Sequence, residues 1–190
     1  MRLLLLVPLL IQLVVCGEDT TAQNLPKDSL ISILDNWPGR SNARSEILKL
    51  QVDPIPRLIS VASSSADPTL RKLHAISLLA TFKDSRTNQG LTNLVTTSIP
   101  QLRCAVLEAL TEEDPSYAAT VLVNELNDDN VCRIEEASDS GVNRPIYVSE
   151  TASRLLTLIK GSPCGRGQAE TRKEAACWRK WLEQRGVPNN

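Results

Sequence analysis

The sequence predicts an all-α fold, a solenoid of stacked antiparallel helix pairs, and three observations carry that expectation. Asp53-Pro54, Asp67-Pro68 and Asp114-Pro115 each place a carboxylate where a helix N-cap belongs and a proline at the first helical position. The Asp oxygen can accept from an orphan amide and the proline presets the backbone angle, so each pair marks a helix start. Residues 67–79 and 102–110 superimpose in their basic, small and aliphatic positions, which argues for a repeated unit. Of the 190 residues 42% are hydrophobic but only 3% aromatic, so the core is built from Leu, Ile, Val and Ala. Such a core suits helices packed at close range.

Taken in order, residues 1–17 put Arg2 ahead of an apolar run interrupted by Pro8 and Gln12 and followed by Glu18 and Asp19. The run falls short of the roughly 20 residues needed to span a membrane and reads as an export signal. Cleavage after Gly17 fits it. Leu13-Val14-Val15-Cys16 also resembles a bacterial lipobox, which makes Cys16 a candidate lipidation site, although Val15 stands where that motif prefers Gly, Ala or Ser. Residues 18–24 are polar and read as a disordered tether, and residues 25–190 as one domain.

Within that domain, periodicity and punctuation predict helices over 25–37 and 42–50 as an end cap, then over 54–63, 68–82, 85–96, 100–110 and 115–126. The helix over 85–96 is the weakest, because Gly90 lowers its propensity. After Asn127-Asp128-Asp129-Asn130 the register breaks. A helix is expected over 131–137, a loop insertion near 138–146, and a resumed helix over 147–160 stopped by Gly161. The last helix, 168–185, carries Trp178 and Trp181 three residues apart, on one side, as a C-terminal cap over the last exposed core. An exposed aromatic pair gripping a ligand is the functional alternative.

His74-Ala75-Ile76-Ser77-Leu78-Leu79 and Ala105-Val106-Leu107-Glu108-Ala109-Leu110 resemble the second helix of HEAT and HEAT-like (PBS lyase HEAT-like) repeats. Aligning Leu79 with Leu110 sets Lys72 on Arg103, a spacing of thirty-one (103 minus 72) that matches the short HEAT-like class. The resemblance implies about five helical pairs and an extended surface of second helices. On that surface Arg71, Arg103, Glu108, Ser149 and Arg154 are the expected exposed polar contacts.

Cys104, Cys132, Cys164 and Cys177 follow the leader, and in an oxidising compartment they permit two disulfides in three connectivities. Contacts between neighbours in a stacked array favour Cys164 with Cys177 and Cys104 with Cys132. Cys104 also fits as a plain buried hydrophobe.

Chemistry is sparse. The single histidine, His74, and Cys104 lie at related places on successive second helices, where a nucleophile and base can meet, yet no orienting Asn or Asp is spaced to serve them. The cysteines lack zinc spacing, and Asp128, Asp129, Glu135 and Glu136 lack a calcium-loop pattern, so no metal or cofactor is expected. A net charge of −1 gives no field to draw nucleic acid. The expected function is therefore that of an exported, non-catalytic protein-binding scaffold of the bacterial envelope, periplasmic or extracellular, touching the membrane only through a lipid on Cys16. The alternatives are a lyase-like or thiol-dependent enzyme or chaperone on the same scaffold, and a purely structural envelope lipoprotein.

Overall fold

The computed structural model describes residues 27–97, 99–136, 143–159, 164 and 171–185. The export signal, Cys16, the tether, Gly161 and most of the expected insertion lie outside these residues.

The described chain is mostly helical: α1 (Lys27–Asp35), α2 (Arg40–Lys49), α3 (Ile55–Ser63), α4 (Thr69–Leu79), α5 (Ser85–Val95), α6 (Pro100–Glu113), α7 (Pro115–Glu125), α8 (Val148–Leu158) and α9 (Thr171–Gln184). Between α7 and α8 stand two antiparallel strands, β1 (Val131–Glu136) and β2 (Asn143–Tyr147). The strand β1 corrects the helix expected over 131–137. Its six residues are too few for periodicity to separate helix from strand. The partner that decides, Asn143–Tyr147, brings Pro145 opposite Ile134 and Tyr147 opposite Val131. Pro145 is tolerated because a two-stranded ribbon consists only of edges.

Helices α3, α5 and α7 begin at Ile55, Ser85 and Pro115, thirty residues apart (85 minus 55, 115 minus 85). Helices α4 and α6 begin thirty-one apart (100 minus 69), and Lys72 and Arg103 each stand three residues after those starts. Each odd-numbered helix up to α7 packs on the next even one, and α2, α4, α6 and α8 pack successively on one another. One continuous aliphatic core runs through them, from Leu30 and Leu34 to Leu155 and Leu156.

The helix starts divide into two kinds. Asp114 caps α7, accepting from the amides of Ser116 and Tyr117, and Asp53 accepts from Ile55 N at 3.2 Å. Asp67 does not cap α4. Its carboxylate instead accepts from Arg71 one turn later, which also grips both oxygens of Asp35 on α1. A guanidinium held by two carboxylates outcompetes a single backbone amide. Asp84, without a proline, caps α5 through Arg86 N.

Gly90 is where α5 meets α3. A Cβ there would lie 2.4 Å from Ile59 Cδ1 and 2.7 Å from its Cγ1. The residue that weakens α5 by propensity is the one that lets it dock. At the far end Trp178 is fully buried and meets Trp181 edge-on at 5.4 Å, so the pair seals the core and offers no exposed aromatic grip. Arg185 covers the Trp181 ring at 4.1 Å.

Two substitutions test this packing. Gly90→Ala gains about 1 kcal/mol of helix propensity and loses about 1–3 kcal/mol to overpacking, so the net is destabilising. In an Ile59→Ala background the same change becomes stabilising, and urea melts of the four proteins measure the reversal. Asp114→Ala lowers stability by about 1 kcal/mol in the same assay.

Candidate binding site: a clamped hairpin on helix α6

Helix α6 is buried over a broad face, through Leu102, Cys104, Val106, Leu107, Ala109 and Leu110, and keeps Gln101 and Glu112 exposed. It contacts α4, α5, α7, α8 and β1. Three of its side chains, Arg103, Cys104 and Glu108, reach the segment that follows α7.

Cys104 is joined to Cys132 of β1, with Cα atoms 6.2 Å apart, and Cys164 is joined to Cys177 of α9 at 5.8 Å. These are the pairings that neighbour contact favours, and they belong to an oxidising environment. The Thr151 hydroxyl of α8, fully buried, lies 3.4 Å from Cys104 Sγ and 3.6 Å from Cys132 Sγ. Disulfide sulfur carries no proton, so the hydroxyl donates. Cys104 therefore has no free thiol to act as a nucleophile. His74 is elsewhere: its Nδ1 is 2.7 Å from the Leu34 carbonyl oxygen, to which only a protonated ring nitrogen can donate, and its ring stacks on Trp37 at 4.2 Å.

Arg103 meets Asp128 at 2.6 Å, both side chains largely buried, and the contact is ionic rather than an aligned hydrogen bond. Asp128 also organises the turn into β1. Its Oδ1 accepts from the amide and side chain of Asn130, and its carbonyl accepts from Ser149 N. Glu108 Oε1 accepts from Arg154 of α8 at 2.9 Å and Arg133 of β1 at 3.3 Å. Of the five polar residues expected on one open surface, the side chains of Glu108 and Arg154 stay exposed, those of Arg71 and Arg103 are largely covered, and all four sit in ion pairs. Arg71 joins α4 to α1; Arg103, Glu108 and Arg154 join α6 to the hairpin and α8. Ser149, at 5% exposure, is corrected to a core position, where its backbone N–H donates to the Asp128 carbonyl.

Sequence reasoning missed Asp128 and Glu125 as a pair facing Arg103. Burial pushes the Glu125 carboxyl up, the nearby Asp128 charge adds to this, and Arg103 opposes it. Spacing offers one signal, since 125 and 128 are three apart at a helix end.

What the clamp holds is a projecting arm. Cys132 and Ile146 are buried at its base, while Arg133 to Glu136 and Asn143 to Pro145 are all exposed, Ile134 at 65%. Val131 and Tyr147 form an exposed cross-strand pair. Among the described residues no three metal-ligating side chains gather, and no helix is long and apolar enough to cross a membrane. Compared with known protein families, with curated proteins and with solved structures, the chain shows no match.

Removing the clamp by Cys104→Ala with Cys132→Ala costs about 3–4 kcal/mol for its 28-residue loop. Hydrogen exchange then shows β1 and β2 losing protection while α1 to α4 keep theirs. Glu125 gives a pH signature. Its folded pKa lies above the unfolded one, so its proton is held more tightly when folded and stability falls as pH rises through the ordinary glutamate range. Glu125→Gln therefore raises Tm at about pH 7 and leaves it unchanged at about pH 3, where wild type is already protonated.

Proposed function

We propose that this chain is an exported, non-catalytic HEAT-like scaffold that binds another protein through the β1–β2 arm. The thirty-residue spacing of α3, α5 and α7 and the unbroken row α2, α4, α6, α8 support the repeat reading, and the two disulfides support export.

One observation carries the binding reading. A two-stranded hairpin is marginal in water by itself, and among the described residues this one buries only Cys132 and Ile146, too little to hold it. It is nonetheless fixed by a disulfide, by the Glu108–Arg133 contact and by the Arg144–Glu150 pair at 2.6 Å. Beyond Cys132 the strand β1 is exposed and presents Ile134 between charged neighbours. An apolar residue ringed by charge is the pattern of a small interface anchor.

The test is affinity capture from extracts of the exported fraction, with the disulfides intact, comparing wild type with Val131→Asp/Ile134→Asp. Both positions are exposed, so the variant folds. Loss of a captured protein supports the arm as the contact; an unchanged capture profile removes it.

A further inference from the structure

A second feature stands on different elements. Between α5 and α7, with Leu182 of α9 in its wall, lies a cavity of about 280 Å³, close to the lower end of the roughly 300–1,000 Å³ usual for small-molecule sites. Its hydroxyl groups have all committed their protons. Thr92 donates to the Asn88 carbonyl at 2.8 Å, Thr96 to Asn93 at 3.2 Å and Thr120 to Tyr117 at 2.8 Å. With the Thr92 proton so used, the 2.9 Å contact between Tyr117 Oη and Thr92 Oγ1 requires Tyr117 to donate. Four hydroxyls therefore face the cavity as acceptors, and among the described lining side chains only the Asn124 amide offers N–H. Glu125 is the one charged group in the lining. Asp128 and Arg103 beyond it are paired with each other, leaving one net negative charge at that end. Val95, Val123 and Leu182, all buried, supply apolar wall.

Acceptors, one carboxylate and an aliphatic wall complement a ligand with several N–H donors, a positive charge and a short hydrocarbon stem. Anions and acceptor-rich ligands meet mostly lone pairs there, with the Asn124 amide as the one side-chain donor among the described lining residues. We infer that the α5–α7 cavity is a binding site for an alkylammonium or alkylguanidinium group, with its head on Glu125 and the threonine hydroxyls and its stem along Val95, Val123 and Leu182. The partly exposed Tyr117 ring adds a face for the cation.

The experiment is an NMR titration of the disulfide-intact protein with n-butylammonium, n-butylguanidinium and, as the neutral match, n-butanol. The cations produce saturable shifts in residues 92–96 and 117–125 with a millimolar Kd, and n-butanol does not. Glu125→Gln weakens the cations by roughly tenfold or more. That variant removes an unfavourable buried charge, so its loss of binding is not a loss of fold. Thr120→Val, which keeps shape and deletes an acceptor, weakens them less. Blocked lysine (Nα-acetyl-lysine-N-methylamide) separates the sources. Binding equal to n-butylammonium means a polypeptide side chain reaches the site, and exclusion means a free small amine. Equal binding of n-butanol, unchanged affinity in Glu125→Gln, or absence of saturable shifts overturns the inference.

Discussion

Everything in this fold depends on the broad apolar face of α6. An apolar face this wide needs more than one neighbour, and the chain supplies α4, α5, α7, α8 and β1. The polar groups that α6 still carries must then be answered locally. Arg103 finds Asp128, Glu108 finds Arg133 and Arg154, and the carbonyls at its C-terminal end accept from Lys83. The same logic extends outward, where Arg40 bridges the Ser77 carbonyl of α4 and Glu112 of α6. Charges in this protein chiefly register one helix against the next.

The helices were legible because their signals are local. Asp114 followed by Pro115 is a capping device read off adjacent residues, and the structure uses it as such. Two local readings failed for a common reason. Asp67, like Asp114, is followed by proline, but Arg71, itself held by Asp35 thirty-six residues away in sequence, claims it. Val131 to Glu136 was opaque because a strand is defined by its partner, and that partner follows a break in the pattern. Gly90 looked like a defect from propensity alone; only its distance to Ile59 shows it as a fit.

The candidate sites were less legible than the fold. Cysteine pairing was inferable because stacked units bring sequence neighbours together, and both disulfides obey that. Exposure was not. Ser149 is expected on a repeat surface, yet the start of α8 is buried at Val148, Ser149 and Thr151. The acceptor character of the α5–α7 cavity depends on where hydroxyl protons go, which no residue pattern states.

The covalent bond between Cys104 and Cys132 gives the arm a mechanical character. A pull applied at Ile134 passes through β1 and one sulfur bridge straight to the middle of the chain's most enclosed helix. The strands alone, short and two in number, would peel apart first. With the bridge in place, tension is shared by α6 and the helices gripping it, so the arm keeps its base under load.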